Sequence, residues 1–166
     1  MLGAARALEG DMAPALQQME PTYEATFGYG FLGMLPGVIM AEALAAANRN
    51  REALALVTRL LEGSRTPEEG VFVPELWRLR GELVLRQSAG DARQAERHFE
   101  TAARIAAEQG AMVYRLRAGT LLSRLLAEEG RREEARTVLD RANANPLDEW
   151  EGPEIGIAAQ LRSELG

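Results

Sequence analysis

The chain contains no lysine and no cysteine, and it has one histidine. Without cysteine it forms no disulfide and no thiolate metal site, which fits a reducing compartment, and a cytoplasmic location is expected. The single histidine, His98, has no second histidine or cysteine to complete a zinc site, so no metal is expected, and a solvated helix position is the simpler reading. Without lysine, all 19 basic residues are arginine. At the level of sequence this reads as the coding bias of a GC-rich genome. Positive charge is also in deficit overall, with a net charge of −6 and the arginines spread along the chain. A nucleic-acid binder would need a basic face to replace counterions on phosphates, so no nucleic-acid partner is expected.

Long apolar runs are scarce as well. The uncharged stretch from Ala25 to Ala41 is broken by four glycines and Pro36, and Glu42 follows at once. It falls short of the roughly 20 apolar residues that a membrane helix needs. The opening MLGAARALEGDM lacks a basic segment followed by a long apolar core, so it does not read as a signal peptide. No membrane partner is expected.

What the chain does have is alanine, leucine, arginine and glutamate, a helix-forming composition. Four short turn signals recur: Gly10-Asp11, Asn48 to Asn50, Gly90-Asp91 and Gly130-Arg131. They are separated by 38, 42 and 40 residues. A period in this range marks a solenoid built from one supersecondary unit. Five residues after each signal comes a small residue: Ala15, Ala53, Ala95 and Ala135. There, two antiparallel helices leaving a tight turn must approach closely. Four further on comes a larger one, Met19, Val57, Phe99 and Leu139, and the better repeats add Ala102 and Ala142. This is the spacing of one helical face.

The expectation is an all-α, right-handed superhelix of antiparallel helix pairs, one domain over residues 1–166. Its units cover about 1–26, 31–63, 74–110 and 111–143, and a capping helix covers about 153–165 to shield the last stacking face. Pro36 places the start of regular helix in the second unit at that residue, with Phe27 to Leu35 partly irregular. Leu2 to Leu8 reads as half of a helix pair. The chain is therefore expected to begin inside a repeat, with an open edge through which a homodimer could form. Pro74 suits the first turn of a helix. Leu76, Leu79 and Leu83 make its apolar stripe, and Gly81 implies a close helix crossing. Trp77 and Tyr114 are expected in packing between repeats, and Trp150 at the cap.

No catalytic constellation is visible. The acidic pairs Glu68-Glu69, Glu128-Glu129 and Glu133-Glu134 point about 100° apart on a helix and read as surface charge. Neither a catalytic residue nor a cofactor site is expected, and the chain reads as a non-enzyme.

The helix-turn-helix wording, with glycine at the turn, alanine five later and a large apolar residue after that, resembles the tetratricopeptide repeat. PELWRLRGELVLR, followed by AERHFETAARIAAEQGAMVYRLRAGTLLSRLLAEEGRREEARTVL, is similar to the C-terminal repeat region of large bacterial signal-transduction ATPase regulators. These are regulators of the adenylate or guanylate cyclase type and LuxR-type transcriptional regulators. The likeness is best over Val73 to Leu139. The catalytic motifs of such regulators lie upstream, and a chain without lysine cannot write the P-loop signature G-x-x-x-x-G-K-[ST].

The resemblance implies that first helices line a groove. It picks Leu35, Val38 and Glu42 in the second unit. In the third it picks Glu75, Arg78, Glu82 and Arg86, and in the fourth Arg117, Thr120 and Arg124. The implied partner is a protein or peptide segment, including upstream domains of the same polypeptide. An arginine row there could receive carboxylates or phosphates. The bland alternative is that Arg78–Glu82 and Arg124–Glu128 are ordinary surface pairs. A second implied reading is a small-molecule sensor, with its pocket beside the apolar segment from Phe27 to Val38.

Overall fold

A computed structural model describes residues 16, 17, 19, 21, 31–64, 70–144 and 152–166. Among them run seven α-helices and no strand. They are α1 (Phe31–Ala46), α2 (Asn50–Gly63), α3 (Val73–Gln87), α4 (Ala92–Glu108), α5 (Met112–Glu128), α6 (Arg132–Ala142) and α7 (Pro153–Leu165). A 3₁₀ turn, Ala89–Asp91, joins α3 to α4. Nearly all of the expected first unit, with the Gly10 turn and Ala15, lies outside the described residues, as does Trp150.

Three helices end in the same way. Asn48, Gly110 and Gly130 each take a left-handed conformation, with φ of 61°, 66° and 81°. The next amide then reaches back to the carbonyl five residues earlier. Arg49 N–H bonds to Leu44 at 2.9 Å, Ala111 to Ala106 at 2.8 Å and Arg131 to Leu126 at 2.8 Å. This Schellman closure satisfies carbonyls that the helix end would leave bare, and it turns the chain sharply. The Gly90 signal works differently. Its turn is 3₁₀, and the Ser88 hydroxyl accepts from the Gly90 amide at 3.3 Å.

The helices form hairpins α1–α2, α3–α4 and α5–α6 that stack in order, with α7 laid against α5 and α6. The first helix of each hairpin packs beside the next, giving a row α1, α3, α5, α7. On the second helices the alanine and large-residue positions point inward, as their spacing requires. Ala53, Val57, Ala95, Ala102 and Ala135 are fully buried, and Phe99 and Leu139 nearly so.

The small residues on the first helices explain how the hairpins close. Gly81 faces the Phe99 ring, and a Cβ on Gly81 would meet it at 2.5 Å. A Cβ on Gly119 would collide with the Ala142 methyl. Ser123, fully buried, donates its hydroxyl hydrogen to the Ala135 carbonyl at 2.8 Å and ties α5 to α6. The apolar core falls into two clusters. One is built mainly on α1, α2 and α3, and the other runs from Val84 of α3 through α4, α5, α6 and α7.

One helix starts earlier than the sequence suggests. α1 begins at Phe31 and carries Pro36 in its second turn. Proline has no amide hydrogen, so the Leu32 carbonyl receives no bond from it. The helix continues because burial of Met34, Val38, Met40, Ala41 and Leu44 holds it. At about 1.5–3 kcal/mol for a fully buried large apolar side chain, that outweighs the proline penalty of about 3 kcal/mol. No helix among the described residues is long and apolar enough to cross a membrane.

Candidate partner-binding face

The row of first helices carries one strip of side chains per helix. On α1 the strip is Leu35, Ile39, Glu42 and Ala46, and on α3 it is Glu75, Arg78, Glu82 and Arg86. On α5 it is Tyr114, Arg117, Leu121 and Arg124. Each set recurs at helical spacing, so its members share a face.

An ion ladder crosses the row from α1 to α7. The Arg78 guanidinium contacts Glu75 at 2.8 Å, Glu82 at 3.0 Å and Glu42 at 3.4 Å. Glu75 Oε1 also accepts from Arg117 at 3.1 Å. Arg117 then reaches Glu154 on α7, donating from Nε at 2.8 Å. Glu75 is 2% exposed and Arg78 9%. At that depth a lone charge would be very unfavourable, and the pairing is what permits burial.

The protonation equilibria follow this arrangement. Burial opposes the charge on Arg78, but Glu75, Glu82 and Glu42 outweigh it and raise its pKa. Arg117 is raised in the same way by Glu75 and Glu154 against its burial. Burial also opposes the Glu154 carboxylate, but its hydrogen bond and charge contact with Arg117 hold its pKa below the ordinary value. Glu42 goes the other way. Its burial is only partly offset by Arg78, and its pKa is raised. Tyr114 is raised too, first by burial and then by the negative charge of Glu75.

The residues implied by the resemblance are not equivalent. Leu35, Arg86 and Arg124 are exposed; Glu42, Glu82 and Arg117 are half-buried; Glu75 and Arg78 form the floor. Val38 belongs to the first core cluster, and Thr120 is buried with its hydroxyl unpartnered, so neither lines an open surface. The segment from Met34 to Val38 likewise puts Met34 and Val38 into the core. Arg78 and Glu82 do form a pair, but around a buried guanidinium. No pair joins Arg124 to Glu128, and both are exposed.

His98 is not a solvated position. It is half-buried, with its ring 5.3 Å from that of Trp77, and Arg80 stands over the Trp77 ring at 5.4 Å. Burial, with Arg80 and Arg97 nearby, pushes its pKa down to about 4. Trp77 itself packs on the first core cluster between α3 and α4.

Glu154 was missed by the sequence reading, though a signal for it exists. The dipeptide Pro-Glu opens α3 at 74–75 and α7 at 153–154, two repeat lengths apart. Both glutamates arrive at the same ladder. The arginines also reach across to backbone carbonyls of other helices. Arg86 donates to the Ala45 carbonyl at 3.0 Å and Arg115 to Ala142 at 3.1 Å. Arg132 bonds Glu164 and Leu165, and Arg136 bonds Leu165 and Gly166. All these acceptors lie at helix C-termini, where a planar fork can meet several bare carbonyls.

Two solved structures share this arrangement. Both are crystal structures of a putative kinesin light chain from Podosopora anserina with nearly identical TPR-like repeats, one of them a single-residue variant. The variant superposes with a TM-score of 0.72 and the other with 0.70. Each match is 16% identical and covers 98% of this chain and 82% of the other. The fold is a TPR-like α-solenoid. Within it, α1, α3 and α5 are the first helices of successive hairpins, and α7 follows the last. No protein-family model matches the chain, and no curated protein matches it.

Proposed function

We propose that this TPR-like solenoid is a non-catalytic module that holds a protein or peptide segment along the row α1, α3, α5. TPR-like folds generally mediate protein–protein interaction. The observation that carries the reading is the accessible strip beside the ladder. Leu35, Ile39, Glu42, Glu82, Arg86 and Arg124 all retain solvent exposure on neighbouring first helices. A stack of helix pairs presents such a strip as an extended, preformed surface. The module belongs, in this reading, to a larger cytoplasmic bacterial regulator of signalling or transcription. The wording from Val73 to Leu139 supports that context, and upstream domains of the same polypeptide are then natural partners.

Site-specific photo-crosslinking in cells tests the surface. A photoreactive side chain at Ile39 or Arg124 should give discrete protein adducts. The same group at Arg104, exposed on the outer helix α4, should give none. Adducts from Arg104 alone, or from no position, would overturn the assignment.

A further inference from the structure

Three large apolar side chains are exposed among the described residues: Leu35 at 46%, Ile39 at 37% and Val71 at 52%. Two of them share one corner. Leu35 and Ile39 are one turn apart on α1. Val71 lies two residues before α3, next to Gly70, where an added Cβ would meet the Met34 thioether at 3.3 Å. The ladder borders the patch directly. Glu42 follows Ile39 by three residues on the same face of α1.

Among the described residues, that ladder is short of positive charge. Four carboxylates, Glu42, Glu75, Glu82 and Glu154, share two guanidinium groups, Arg78 and Arg117. Two acceptor atoms have no donor among the described residues. Glu75 Oε2 and Glu154 Oε2 are buried and unpartnered, on side chains 3% and 5% exposed. Unmet buried acceptors are uncommon and unfavourable. At the rim, Glu42 and Glu82 flank the same Arg78 guanidinium and keep 36% and 26% of their side-chain surface in solvent. Arg86 and Arg124 lie further toward the C-terminal ends of α3 and α5, and Arg86 is held by the Ala45 carbonyl.

We propose that this corner docks a cationic amphipathic segment of a partner protein: its apolar side chains lie on Leu35 and Ile39, and its arginine or lysine sits between Glu42 and Glu82. The inference rests on the peptide-binding reading above and specifies its partner. It also reverses the polarity suggested by the arginine row, because Arg78 and Arg117 are consumed within the ladder. A partner carboxylate would meet a surplus of like charge, whereas a cation supplies what is missing, and charge complementarity also speeds encounter. Glu42, whose burial is incompletely offset by Arg78, gains most from a second cation.

The test is selection from a phage-displayed library of random 16-residue peptides on the whole chain, followed by fluorescence anisotropy with the enriched peptides. Enriched peptides should be basic, with apolar residues three or four apart. Their affinity should fall by roughly ten- to thirtyfold for Glu42→Gln with Glu82→Gln, one to two charge-assisted contacts. It should fall comparably for Leu35→Asn with Ile39→Asn. Glu42→Gln alone, at a half-exposed position, gives a second reading if either pair lowers the melting temperature. Enrichment of acidic peptides overturns the cationic partner and leaves peptide binding standing. No enrichment overturns both. Basic peptides indifferent to all three variants overturn the placement at this corner.

Discussion

Arg78 touches three carboxylates at once, Glu42 and Glu75 from one terminal nitrogen and Glu82 from the other. Removing it leaves Glu75, which is 2% exposed, with Arg117 alone. Arg78→Ala should therefore lower stability by about 3–5 kcal/mol, the usual penalty for breaking a buried ion pair from one side. Urea denaturation measures this directly. Replacing both partners, as Arg78→Met with Glu75→Leu, should restore much of the loss, since a well-packed apolar pair is often as stable as a buried ionic one.

The two outer carboxylates of the ladder should differ in sign with pH. The Glu154 pKa is lowered, so its contribution is present above the ordinary carboxylate value and disappears as pH falls through its folded value. The Glu42 pKa is raised, so its ionised form opposes folding at neutral pH and the opposition fades on acidification. Glu42→Gln should thus raise the melting temperature at pH 7 and lose that advantage toward pH 4, whereas Glu154→Gln should lower it at pH 7.

At the scale of elements, the hairpins depend on glycine in two distinct ways. Gly130 supplies a left-handed φ of 81°. Gly130→Ala should lower stability by about 1–2 kcal/mol, the strain of an L-residue in that region. Gly81 supplies space. Gly81→Ala would gain about 1 kcal/mol of helix propensity. It would also drive a methyl into the Phe99 ring, an overpacking penalty of about 1–3 kcal/mol. The net loss should be largely relieved by Phe99→Leu, and thermal melts of the single and double variants compare the two.

Much of this level was legible in advance. Ala95, Phe99 and Ala102 announce their buried face by spacing alone, and Gly81 announces a close crossing because nothing else explains a glycine mid-helix. The ladder was only half legible. The strip Glu75, Arg78, Glu82 can be drawn on a helical wheel, since helical period is local information. That Arg78 meets Glu42, and that Arg117 meets both Glu75 and Glu154, joins residues 36 to 42 positions apart. No local period encodes such pairs. Pro36 misled for the same reason, because tertiary burial kept α1 helical where its own backbone chemistry argued against it.

At the scale of the molecule, each hairpin meets chiefly its neighbours, and the apolar core divides near α3 and α4. Such stacks open by units. The α1–α2 hairpin sits at one end of the described stack and carries Pro36 and the exposed Leu35 and Ile39. Hydrogen exchange followed by mass spectrometry should show α1 and α2 opening at lower free energy than α4 and α5. Equal protection throughout would mean that the two clusters behave as one.

The ladder has a mechanical consequence. Apolar layers can slide by fractions of an ångström with little penalty, but a forked guanidinium bond resists stretch and keeps its angle. The first helices are therefore corded together along one side. Loading or slackening that cord, by salt, by protonating Glu42 or by an added cation, would change the tilt between hairpins before it changed any hairpin internally. The solenoid would then act as a spring whose stiffness resides in a few carboxylates.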